Sequence, residues 1–139
     1  RLASSEARLG FPEVIQGRIP WDGGTQLLPR IVGRSRAISL LLTGTDVSAA
    51  EAETMGLISG VISPDGLASE AFLLSQKWAQ AGPIAARFTK EAVTKGLDMS
   101  LEQGLGLEAD LSILLQSSYD REEGIRSFLE GRKPSFRGQ

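Results

Sequence analysis

The stretch Pro20-Trp21-Asp22-Gly23-Gly24 constrains this chain most. Proline fixes one backbone torsion and lacks an N–H, and paired glycines are too free to hold a helix, so a tight turn is expected here. Just before it stand Gly10-Phe11-Pro12-Glu13 and Gly17. Two carboxylates, Glu13 and Asp22, therefore flank a rigid glycine-rich segment. That layout suits an acid/base site better than a packed core.

Other chemistries are narrowed by composition. The chain has neither histidine nor cysteine. A Ser-His-Asp triad, a histidine base, a disulfide and nearly every zinc site are thereby excluded within these residues, and no metal site is expected. Fifteen Lys and Arg against 17 Asp and Glu leave a net charge of -2, which recommends neither nucleic acid nor an acidic membrane as partner. No apolar run approaches the roughly 20 residues of a bilayer span, and the first residues lack the apolar stretch of a signal peptide. The expected location is the cytoplasm or an organelle matrix. With 139 residues, the chain can bury a modest core.

Local patterns divide it. A strand is expected over 2–9. A short helix over 25–32 is interrupted by Pro29 and ended by Gly33, and another follows over 37–42, stopped by Gly44. Ser48-Ala49-Ala50-Glu51 is a capping box opening a helix over 49–55. The β-branched run 57–63 predicts a strand entering the turn Pro64-Asp65-Gly66. Helices are predicted over 67–81, 84–96, 101–117 and 121–131. Ser100 with Gln103, and Asp120 with Glu123, repeat the cap-plus-third-residue pattern. A boundary is placed near residue 65, between a mixed α/β piece (1–65) and a helical tail (66–139).

Glu13 follows proline, with Phe11, Val14 and Ile15 able to desolvate it. Burial disfavours the charged carboxylate, and a carboxyl whose two forms lie close in free energy can both take and give a proton. The plain alternative is a surface glutamate after a turn. Asp22 precedes glycine in a common turn dipeptide, so it is either a turn residue or a second acid/base or nucleophile. Gly23-Gly24-Thr25 lacks the spacing and lysine of a nucleotide-binding loop.

Several motifs in one order resemble the crotonase superfamily, the enoyl-CoA hydratase/isomerase proteins, from Leu9 to the end. They are Phe11-Pro12-Glu13, Ile19-Pro20 with Gly23-Gly24-Thr25-Gln26, and Leu28-Pro29-Arg30-Ile31-Val32-Gly33. Leu41-Leu42-Thr43-Gly44, Gly56-Leu57-Ile58, Asp120-Arg121-Glu122-Glu123-Gly124 and Phe128-Leu129-Glu130 with Arg132-Lys133-Pro134 continue them. The resemblance implies an α/β fold: the carboxy-terminal part of a crotonase-type ββα spiral core, then an α-helical oligomerisation region. Family chains are roughly twice this long, and their first half carries the oxyanion-hole amides and, in hydratases, another catalytic glutamate. This chain accordingly looks like a carboxy-terminal half.

By the same resemblance Glu13 is the catalytic acid/base, and Pro12, Ile19, Trp21 and Gly23 border the substrate. Family hydratases usually have two small residues where Trp21 and Asp22 stand. The amide at the Trp21 position helps hold the catalytic water, whereas an indole could narrow the pocket or stack on a flat acyl group. Dienoyl-CoA isomerases and a dehalogenase of the superfamily place a catalytic aspartate at the Asp22 position. The implied substrate is an acyl-CoA thioester, coenzyme A entering with it and no separate cofactor being needed. Arg30, Arg34, Arg36, Lys90, Arg132, Lys133 and Arg137 are the cations to weigh against its phosphates. Gly131 stands where many members carry lysine. A homotrimer or dimer of trimers is implied, with Ile113-Leu114-Leu115 able to supply an interface. Alternatives are an isomerase or hydrolase using Asp22, or an inactive oligomerisation fragment.

Overall fold

The computed structural model describes residues 1–139. They form two compact units, Arg1–Leu73 and Leu74–Gln139.

In the first unit, strand β1 (Leu2–Ser4) pairs in parallel with β4 (Gly60–Ile62), Leu2 opposite Gly60 and Ser4 opposite Ile62. Strand β2 (Arg8–Leu9) pairs antiparallel with β3 (Val47–Ser48). A parallel pair needs a long crossover. Here the connection contains helices α1 (Gly24–Val32), α2 (Arg34–Thr43) and α3 (Ala49–Thr54).

Helical spacing builds the core. Leu28 and Val32 on α1 and Ala37 and Leu40 on α2 are buried together, with Phe11, Leu41, Met55 and Leu57 against them. A second cluster joins Ala49, Ala52 and Ile58 to Ala3, Leu9 and Val61. Ala49 and Ala52 of α3 are fully buried, so the helix can approach the strands without a bulky side chain between. Val47 and Leu57 pack against both clusters.

Three expectations are corrected here. The strand over 2–9 is two short strands, because residues 5–7 turn and the Ala7 amide donates to the Ser4 carbonyl at 2.9 Å. The strand over 57–63 shrinks to β4, because the Leu57 amide closes the end of α3 on the Ala52 carbonyl at 2.9 Å and Ile58 drops into the core. Helix α1 runs through Pro29 rather than breaking there. Proline deletes one donor, which costs a single intrahelical bond in a helix anchored by Leu28 and Val32. The Ser48–Glu51 capping box forms as expected.

Helix α4 (Leu67–Ala79) enters the second unit, which holds α5 (Pro83–Gly96), α6 (Leu101–Gln116) and α7 (Tyr119–Leu129). Leu111 of α6 is buried, facing a hollow of about 300 Å³ that Ala85, Phe88 and Ala92 of α5 also line. The Ser100–Gln103 capping box is present. The pattern at Asp120 and Glu123 is not a cap. Ser118 caps α7, its hydroxyl accepting from the Arg121 amide at 3.1 Å. Asp120 and Glu123 are instead buried and hold the residues after the helix. No helix is long and apolar enough to cross a membrane.

Candidate active site

Glu13 heads a single 3-10 turn, Val14–Gln16. Its carbonyl accepts from the Gln16 amide at 3.0 Å and the Arg18 amide at 2.9 Å. Gly17, at φ 70°, reverses the chain, a torsion that a side chain would oppose. The backbone of Glu13 thus organises the turn and its side chain is left for other use. That side chain is half-buried, and its Oε2 is enclosed with no hydrogen-bond partner. Buried polar atoms are nearly always paired, so an orphan oxygen invites a functional account. The nearby Arg18 guanidinium donates to the Gln16 side chain.

The second carboxylate sits in the turn before α1. Asp22 has φ 52°, the one non-glycine residue in the left-handed region. Gly23 follows at φ 85°, and its carbonyl accepts from the Leu27 amide at 2.6 Å, starting the helix. A Cβ on Gly23 would also meet Leu27 Cδ1 at 2.8 Å, so this position demands glycine twice over. Of the turn residues expected to border substrate, Ile19 and Trp21 are 66% and 68% exposed on either side of the buried Pro20. Pro12 is exposed.

A hollow of about 200 Å³ opens beside this turn. Asp22, Gly23 and Gly24 form one side, while Phe11, Leu57 and the Leu27, Leu28 and Ile31 face of α1 form the rest. The fold therefore brings Asp22 and Gly23 to an apolar hollow with one carboxylate at its edge. Glu13, Pro12, Ile19 and Trp21 do not line it; Phe11, two residues before Glu13, does. The apolar lining was not singled out from sequence as site residues. Its signal was available in the 24, 27, 28, 31 spacing, one face of a helix.

The cations considered for phosphate binding are partly committed elsewhere. Arg132 forms a bidentate pair with Glu123, and the Arg137 guanidinium lies 4.7 Å from the Tyr119 ring centre. Arg30 donates to the Gln26 carbonyl within α1 at 2.9 Å.

Comparison with known proteins matches this arrangement to one group. The family model for enoyl-CoA hydratase/isomerase matches residues 1–139. The chain is similar to 2,3-dehydroadipyl-CoA hydratase of Escherichia coli K12, 38% identical over 138 residues, 99% of this chain and 54% of that protein. It is 41% identical over 138 residues to (E)-benzylidenesuccinyl-CoA hydratase of Thauera aromatica, again 99% of this chain and 54% of that protein. The crystal structure of enoyl-CoA hydratase from Bacillus anthracis matches with a TM-score of 0.97 and 39% identity, over 100% of this chain and 54% of that one. The chain spans about half the length of these relatives, and it is the carboxy-terminal crotonase motifs that it carries. A family model spanning every residue, together with a shared backbone at this identity, makes the chain a member of the enoyl-CoA hydratase/isomerase family, the crotonase superfamily.

Proposed function

We propose that these residues contribute the acid/base half of a site that hydrates 2-enoyl-CoA thioesters in the syn sense. The observation that carries this reading is the enclosed, partnerless Oε2 of Glu13. In the protonated form Glu13 gives its proton to the α carbon as water oxygen bonds to the β carbon. The proton released by that water restores the acid, so the sum is one water added across the double bond. Negative charge accumulates on the thioester oxygen during addition, and donors aimed at it lower the barrier. Those donors belong to polypeptide outside residues 1–139, so the 139 residues alone are inactive. Coenzyme A enters and leaves with the substrate. The exposed Ile113 and Leu114, 68% and 59% accessible, support assembly into a homotrimer or dimer of trimers.

Glu13→Gln in the complete polypeptide tests this. Removing a positioned acid/base costs about a hundred- to ten-thousand-fold. Crotonyl-CoA hydration should fall by that factor in kcat with KM little changed. Retention of more than a tenth of the activity would sink the assignment.

A second reading is favoured by the left-handed Asp22 at the edge of the apolar hollow. Asp22 then acts as a second acid/base on a dienoyl or cyclic acyl group, with the exposed Trp21 indole available to stack on it. Asp22→Asn separates the two, since a hydratase keeps most activity and an enzyme using Asp22 loses several orders of magnitude.

A further inference from the structure

Two helix faces, one in each unit, leave apolar side chains in solvent beside charges of opposite sign. On α2, Arg34, Ile38 and Leu42 recur every fourth residue, which sets them in one row along the helix. All three are exposed, whereas Ala37 and Leu40 of the same helix are buried. On α6, Leu105, Ala109 and Ile113 recur at the same spacing, with Glu102 one turn before them. These four are exposed too, Leu111 being the buried residue of that helix. A Cβ on Gly106, beside Ala109 in this row, would meet nothing within 4 Å, so the face is open along its length.

Charge is segregated between the two rows. Helix α2 carries Arg34 and Arg36 and no acid, while α6 carries Glu102, Glu108 and Asp110 and no cation. Arg34, Arg36, Glu102 and Asp110 form no ion pair or side-chain hydrogen bond within the chain. In an interface, apolar rows of this kind supply the burial, and flanking charges set the register and exclude wrong pairings. Packing α6 on α6, or α2 on α2, brings only like charges to the contact. Opposite charges meet only when α2 faces α6. Both rows stay exposed in a chain that contains both, so the complement comes from another copy.

We propose that α2 of one copy docks on α6 of the next, Ile38 and Leu42 against Leu105, Ala109 and Ile113, with Arg34 and Arg36 facing Glu102 and Asp110. The inference rests on the assembly reading given above and names the faces that make the contact. Two different patches are used, so the contact is head-to-tail, and every copy offers one of each.

Sedimentation velocity of the complete polypeptide tests this. The unaltered protein should sediment as an oligomer. Arg34→Glu with Arg36→Glu, and separately Glu102→Lys with Asp110→Lys, should each weaken association at least tenfold while helix content by circular dichroism is kept. A chain carrying all four reversals should regain association, because the attraction depends on opposite sign and not on which helix bears it. An oligomer undiminished by either pair of reversals leaves the assembly reading standing and overturns this pairing. Failure of the fourfold variant to reassociate overturns it as well, and a monomeric unaltered protein overturns both. Should a reversed chain not fold, Leu42→Ser and Ile113→Ser probe the same contact from its apolar side: each should weaken association at least tenfold, and unchanged association in either refutes the docking.

Discussion

Replacing Glu13 by methionine should stabilise the fold while removing the side chain proposed as acid/base. A buried polar atom left without a partner costs about 1–3 kcal/mol. Only Oε2 is enclosed and the residue is half-buried, so the lower figure, about 1 kcal/mol, applies to the gain from an apolar side chain of similar length. Unfolding entropy near the midpoint is about 2 cal/mol/K per residue. For 139 residues melting together, a gain of about 1 kcal/mol then raises the midpoint by about 3 °C. If residues 1–73 melt as a unit, the rise is about twice that. Scanning calorimetry of the Glu13→Met chain reads this directly. A drop of similar size would show that the carboxylate holds the turn together, making Glu13 a structural residue. The physical logic is that a site group is kept short of partners until substrate supplies them, so stability and activity respond in opposite directions.

Three further outcomes follow from the packing and the ion pairs. Leu28→Ala should cost about 2–3 kcal/mol in urea unfolding, the low end for a buried leucine, because the adjoining hollow gives its neighbours room to settle; a loss under about 1 kcal/mol would contradict its place in the core. Ser48→Ala removes the hydroxyl that accepts from the Glu51 amide at 3.3 Å and should cost about 1 kcal/mol, read as a lower urea midpoint. The Arg132 side chain and the Ser135 amide hold the Glu123 carboxyl down from 4.5 to about 2. A depressed carboxyl contributes stability above its unfolded value and loses it as pH falls through the folded one. The difference in urea midpoint between the unaltered chain and Glu123→Gln should therefore shrink as pH drops from 4.5 toward 2, and a difference constant across that window would refute the pairing.

Much of the local structure was legible from short-range chemistry. The glycine-rich turn, the Ser48–Glu51 and Ser100–Gln103 boxes and the late helices follow from torsional limits and from side chains bonding their own neighbours. Such interactions span only a few residues, so sequence order alone determines them. The same order of motifs marked the family and pointed to Glu13 and Asp22.

Only the tertiary structure decided what those side chains meet. Asp120 and Glu123 fit the cap pattern, yet their partners lie up to 18 residues away, because burial on α7 leaves them to be satisfied by the returning chain. Leu57 and Ile58 have strand-forming side chains, but the end of α3 claims the Leu57 amide and the core claims Ile58. The hollow at Asp22 likewise arises from segments apart in sequence, Phe11, the α1 face and Leu57. A residue type fixes which bonds and burial are possible; the folded chain, by choosing which groups come within reach, selects among them.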